Sequence, residues 1–359
     1  MRWPLLLALA FLLGASASPP RLADADPLTA TINVEDVERF AALMKQTEGK
    51  PTPEQLQRDY LDAGSVGIGV FTPDRIVDAI HLARAISKNT RAYATATERC
   101  LPWVKEMTGD LRSIYLGLHG ALPEARLPQI YVVMGAGNSG GTAEPGTQVL
   151  GLEVLCRIAP TREAFRATMR HFFAHETVHS FQEDAGLKVN ADQLLTPVLV
   201  EGAADFIARL ITGEEPDLSR AAWALPRERE LWQQFQSDVA LTRTVKGSVT
   251  PGPNSPERAA VKRWIGNYNS APPGWPGELG YWMGMRIWER RYAAASDKRA
   301  VLNEMLAVAE PRTVMEAGKY TAPSDRLCAY RRSNNERRKL VSSDVGASVR
   351  LCVNSRIRA

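Results

Sequence analysis

Three of the five histidines of this chain fall within nine residues, His171-Phe172-Phe173-Ala174-His175-Glu176-Thr177-Val178-His179, inside a helical hydrophobic pattern. No other stretch limits the fold so tightly. Residues four apart on a helix differ by about 400° of rotation and stand one turn apart. His175 and His179 then present their imidazoles side by side, and two such nitrogens can reach one zinc ion at about 2.0–2.1 Å. Glu176 points beside that ion rather than at it. There its carboxylate can take the proton of a water that the zinc acidifies.

A catalytic zinc takes three protein ligands and keeps one position open. No histidine follows His179, so the third ligand is a carboxylate or His171. The metzincin extension is absent, because Gln182 and Ala185 stand where it would place a glycine and a histidine. Downstream, Val200-Glu201-Gly202-Ala203-Ala204-Asp205 opens another helical stretch. The gap lets the first helix end near Gly186 and a second one return. Asp205 lies one turn beyond Glu201, where a carboxylate can accept the outer N–H of a zinc-bound imidazole. His171, one turn before His175, reads as a neighbour of the ligands on the cleft rim. His81 and His119 read as structural or surface residues.

The surroundings are mostly helical. Val34, Val37, Phe40, Leu43 and Met44 recur at helical spacing. Thr52-Pro53 reads as a helix start, and Thr72-Pro73 as another that opens a long run toward Met107. At Gln129–Met134 the pattern turns β-rich. It runs through a Gly-rich segment, Gly135 to Thr142, into a second β-like stretch at 148–154, which predicts a hairpin. After Pro160 helices return, interrupted by a loop expected over 247–277.

The histidine motif with its downstream Glu-x-x-x-Asp resembles the gluzincin superfamily of zinc peptidases. More narrowly, Asn138–Thr142, Gly151-Leu152-Glu153, the motif helix and Glu201–Asp205 are similar to the bacterial predicted zinc-dependent proteases, known mainly as a domain of unknown function. The similarity spans roughly residues 125–295. It implies one zinc per chain on His175, His179 and Glu201, Glu176 as general base and Asp205 behind the ligands. It also implies that the 129–134 strand is the edge strand lining the cleft, with Gly135, Asn138, Ser139 and Gly140 meeting the substrate backbone. Some gluzincins stabilise the oxyanion with a tyrosine, and Tyr281, between Gly280 and Gly284, is the candidate here. The expected fold is α+β, predominantly α. It has a thermolysin-like (gluzincin) catalytic core, a small β-hairpin or sheet and an N-terminal helical region. The expected divisions are 1–17, 18–124, 125–310 and 311–359.

The composition is that of a globular protein. Of 359 residues, 45% are hydrophobic and 23% charged, which excludes a disordered chain, and a net charge of +4 is too weak to imply a nucleic-acid partner. Arg2, the apolar run Leu5–Leu13 and Ala15-Ser16-Ala17 follow the order of a secretory signal peptide cleaved after Ala17, and the run is too short to span a bilayer. Export places Cys100, Cys156, Cys328 and Cys352 in an oxidising periplasmic or extracellular compartment. Four cysteines allow three pairings and the sequence does not choose among them; the favoured one joins Cys328 to Cys352, which flank a short C-terminal segment, and Cys100 to Cys156. The expected activity is zinc-dependent hydrolysis of a peptide or protein substrate. Hydrolysis of a non-peptide amide or ester, or a non-catalytic zinc-stabilised binding role in the envelope, are the alternatives.

Overall fold

A computed structural model describes residues 22–184, 192–243, 252, 254–268 and 270–318. The expected signal peptide, Cys328, Cys352 and the C-terminal segment beyond residue 318 lie outside the described residues. The chain is mostly helical with one four-stranded mixed sheet. It forms two compact units, Met1–Asp184 and Ala185–Ala359, so the division expected at 124/125 falls inside the first. Among the described residues, no helix is long and apolar enough to cross a membrane.

The first unit holds strands β1 (Ile32–Asn33), β2 (Gln129–Val133), β3 (Gly141–Glu144) and β4 (Thr147–Gly151). Its helices are α1 (Glu35–Gln46), α2 (Pro53–Leu56), α3 (Val66–Phe71), α4 (Ala79–Lys88), α5 (Thr90–Thr95), α6 (Leu101–Lys105), α7 (Thr108–Ala121), α8 (Leu152–Ile158) and α9 (Arg162–Asp184). On α1 the residues spaced for one face, Val37, Phe40, Leu43 and Met44, are buried. At the start of α2, Thr52 and Gln55 cap each other reciprocally, with Pro53 at the first helical position.

The helix expected to open at Thr72 starts earlier, at Val66, capped by the Ser65 hydroxyl. Pro73 has no N–H to continue the ladder, so the chain widens into a π-type turn over Thr72–Ile76. It then reverses at Val77, which sits at φ 72° with Asp78 N–H bonded to the Ile76 carbonyl. A β-branched residue is rarely held there, because its side chain crowds the backbone. The long run toward Met107 is therefore a series of short helices.

The expected hairpin is also corrected. The strand order is β1-β2-β4-β3, with β2 parallel to β4 and β3 antiparallel to it. Parallel neighbours cannot share a tight turn. The tight turn is Pro145-Gly146, with Gly146 at φ 79°, and it joins β3 to β4. β2 is thus an inner strand, and β3, built from the end of the Gly-rich segment, is an edge strand, with β1 at the other edge. Cys100 and Cys156 form a disulfide that ties the segment before α6 to α8. For a separation of 56 residues, loop entropy alone makes such a link worth about 4 kcal/mol.

The second unit holds α10 (Leu195–Thr212), α11 (Leu218–Ala224), α12 (Glu228–Thr242), α13 (Pro256–Trp264), α14 (Leu279–Ala294), α15 (Lys298–Ala307) and α16 (Pro311–Ala317). α13 lies within the stretch expected to be loop. Its local signals outweigh the loop-like composition: Ser255 caps it, Pro256 occupies the first position, and Ala260 and Trp264 bury one face. Trp264 is fully buried, and its indole N–H donates to Asp238 at 2.7 Å. α10 and α14 cross at Gly202 and Gly284, close enough that a Cβ on either would collide with the other's backbone.

Candidate functional site

The motif histidines lie on α9, whose Phe165, Met169, Phe173, Ala174, Val178 and Phe181 are buried in the first unit. Three polar ties set its rotation and height. Gln148 of β4 donates to the Phe172 carbonyl at 2.8 Å and accepts from the Thr177 hydroxyl at 2.8 Å, with both side chains fully buried. Ser180 donates to the Glu144 carbonyl of β3. Asp110 of α7 receives Arg166 through two bonds and Arg170 through one, and these bonds hold its carboxyl below the ordinary value against the opposing effect of burial. A helix pinned this way presents its outer face in one orientation.

On that face the Nε2 atoms of His175 and His179 are 3.0 Å apart, and their rings are 4.7 Å apart and nearly perpendicular. Two nitrogens on one zinc ion, each about 2.0–2.1 Å from it and about 90–110° apart, are separated by about 3.0–3.4 Å. The pair therefore fits one ion. His179 Nδ1 meets Gln182 Oε1 at 2.7 Å. An amide oxygen only accepts, so Nδ1 carries the proton and Nε2 presents its lone pair. Gln182 is buried. In the sequence Gln182 only excludes the metzincin extension, because nothing in the residue order shows which atom the amide meets. The His171 ring centroid lies 5.1 Å from that of His175, with the two rings tilted by 46°.

Glu176 is nearly buried, and its carboxylate lies against the backbone of β3. A Cβ added to Gly141 would stand 2.9 Å from Glu176 Oε1. Gly141 was not among the expected backbone-contact residues, yet it is the glycine that lets the edge strand approach the carboxylate. Gly140 makes the same allowance for the Phe172 ring. Ser139 donates to the Gly141 carbonyl at 2.8 Å, and Asn138 is exposed.

Gly135 serves the fold instead. Its N–H donates to Glu153 Oε2 at 3.0 Å and its carbonyl accepts from the Tyr93 hydroxyl. Glu153 also takes the Gly137 N–H. Burial pushes the Glu153 carboxyl above its ordinary value, although the N–H groups of Gly135 and Gly137 pull the other way. The strand expected to line the site, 129–134, is paired on both sides. The strand beside α9 is β3.

In the second unit, Glu201 and Asp205 occupy successive turns of α10, Glu201 half-buried and Asp205 buried. Asp205 Oδ2 is 3.9 Å from Arg220 Nη1. The same guanidinium lies 5.5 Å from the centroid of the Tyr281 ring and donates to the Gly277 carbonyl. Arg220 thus links Asp205 of α10 to Tyr281 of α14, a role that no local pattern around Arg220 announces. His171, His175 and His179 stand on α9 of the first unit, and Glu201 and Asp205 on α10 of the second; each is a residue type that can ligate a metal ion. No family model, curated protein or solved structure gives a significant match to this chain.

Proposed function

We propose that this protein is an exported zinc-dependent peptidase of gluzincin type, with a thermolysin-like catalytic core. The observation that carries the reading is the pair of His Nε2 atoms 3.0 Å apart, one residue from a carboxylate set against an edge strand. The proposed ligands are His175, His179 and Glu201, for one zinc per chain. Bound zinc would supply the Lewis acidity that polarises a carbonyl and makes water a nucleophile near neutral pH.

The chain's own residues do the rest. Glu176 takes a proton from the attacking water and returns it to the leaving amine. Tyr281 donates to the oxyanion, its ring held under the Arg220 guanidinium. Asp205 and His171 stand behind the ligands. An extended substrate pairs with the outer edge of β3. Export is supported by the Arg2-to-Ala17 pattern and by the Cys100–Cys156 disulfide.

Metal analysis of protein purified without chelator tests the centre: about one zinc per chain is expected. A variant carrying both His175→Ala and His179→Ala should bind none. Full zinc in that variant would remove the site.

Gln182 gives an independent check. Gln182→Leu takes away the acceptor that fixes the His179 proton on Nδ1, and zinc affinity should fall about 10–100-fold in a chelator competition. Gln182→Glu, which keeps an acceptor oxygen, should bind close to the parent. Equal affinity in all three proteins would show that the contact does not orient the ligand.

A further inference from the structure

We infer that Arg75 selects substrates with an acidic side chain, by meeting one residue of an extended peptide paired to the outer edge of β3. This rests on the peptidase reading for the location of the peptide, and on the geometry of β3 for the rest.

The strand alternates. The position where Gly141 would carry a side chain faces Glu176 of α9, so Gly141 and Ala143 belong to the face of the motif helix. Thr142 faces the other way, where Arg75 Nη2 donates to its hydroxyl at 3.1 Å. Backbone directions alternate as well. Gly151 N–H bonds to the Gly140 carbonyl, and the register then turns Thr142 toward β4 and the N–H and C=O of Gly141 and Ala143 outward. β3 ends the sheet, and no further strand pairs with it among the described residues. Cross-strand partners share a face. The peptide residue opposite Gly141 therefore points to Glu176, and its neighbour opposite Thr142 points to Arg75.

The position of Arg75 is imposed by the backbone. It lies in the π-type turn over Thr72–Ile76, two residues before the positive-φ reversal at Val77. Sparsely populated backbone of this kind persists where the surroundings over-determine it, and such sites cluster at binding positions. Among the described residues, Asp74 is the carboxylate paired with the guanidinium. Asp74 Oδ2 lies 3.4 Å from Arg75 Nη1 but its side chain is 79% exposed, so solvent screens it. Glu144 shares the Thr142 face at the far end of the strand. The acidic preference is accordingly confined to the residue opposite Thr142.

The test uses zinc-loaded full-length protein and extended peptides that differ only in Asp, Ala or Lys at one position, with that position walked along the peptide. Cleavage is read as kcat/KM. Binding is read by fluorescence anisotropy in a Glu176→Gln background. At one position the parent should favour Asp over Ala by about threefold to fivefold, the size of a half-exposed ion pair, and less at high salt. Arg75→Lys should keep the preference, Arg75→Ala should flatten it, and Arg75→Glu should reverse it toward Lys. Equal melting temperatures would show that the variants remain folded. Cleavage with the same Asp, Ala and Lys ratios in the parent and Arg75→Glu overturns the role of Arg75 and leaves the peptidase reading standing. Charge-selective binding that reverses with Arg75→Glu, without cleavage of any peptide, keeps the Arg75 subsite and overturns the peptidase reading. Absence of both binding and cleavage overturns both.

Discussion

Glu176→Gln is expected to keep one zinc per chain and the parent's melting temperature while lowering peptide turnover by about 10²–10⁴, the usual contribution of a positioned general acid–base. The amide has the size and planarity of the carboxylate, so it fits the space that Gly141 leaves open. Its nitrogen cannot accept the water proton, and its oxygen is a far weaker base than a carboxylate. The step lost is proton transfer, so kcat should fall with little change in KM. Zinc is measured in the same samples, because loss of metal would produce the same silence for another reason. Gly141→Val is the complementary change. A side chain there would meet the carboxylate at 2.9 Å and push Glu176 from its place while leaving its chemistry intact. Turnover by Glu176→Gln equal to the parent's would take Glu176 out of the mechanism and favour a binding role for the metal centre.

The parts of this arrangement that sequence exposes are those set by a short period. Two histidines four apart on an apolar helical stretch could only face one way, and the structure brings their Nε2 atoms to 3.0 Å. The parts that it hides depend on direction and rotamer. β-rich composition marks 129–134 and 148–154 as strands, but parallel and antiparallel pairing draw on the same residue types, so composition predicts a hairpin where β2 and β4 in fact run parallel. The decisive cue, Pro145-Gly146, is two residues long and lies next to a conspicuous run of glycines. Within that run the glycine that matters for Glu176 is Gly141, and only the packing of α9 on β3 distinguishes it from Gly135, whose backbone is already engaged by Glu153 and Tyr93. The helix at Pro256–Trp264 is hidden in the sequence because loop-like composition extends over 247–277, while Ser255-Pro256 and the buried Trp264 act over one or two turns. Val77 shows the opposite limit. Its residue type argues against positive φ, and only the completed packing around the Thr72–Ile76 turn holds it there.

Gly284→Ala should be among the most damaging single methyl additions in the second unit. The new Cβ would lie 1.9 Å from the Val198 carbonyl oxygen and 3.0 Å from Gly202 Cα, and both belong to the backbone of α10. Backbone cannot rotate away as a side chain can, so α14 must move outward. That movement loosens the contact of the buried Met283, Met285 and Trp288 faces and stretches the Trp288 indole bond to the Leu199 carbonyl, now 2.8 Å. Overpacking of this kind costs about 1–3 kcal/mol or more, and the hydrogen bond adds about 1 kcal/mol. A loss of about 3 kcal/mol would lower the melting temperature by roughly 6–12 °C in a domain of this size. Gly120→Ala is the control: nothing lies within 4 Å of its would-be Cβ, and alanine favours the helix, so stability should hold or rise slightly. The site should suffer with the fold. Glu201 and Asp205 ride on α10 and Tyr281 on α14, and separation of the two helices pulls Tyr281 away from the Arg220 guanidinium that joins it to Asp205. Folded Gly284→Ala protein, assayed well below its melting point, should therefore lose turnover beyond its unfolded fraction. A variant with the parent's melting temperature would mean that α10 and α14 do not meet through these two glycines, and would remove the support that places Tyr281 beside Asp205.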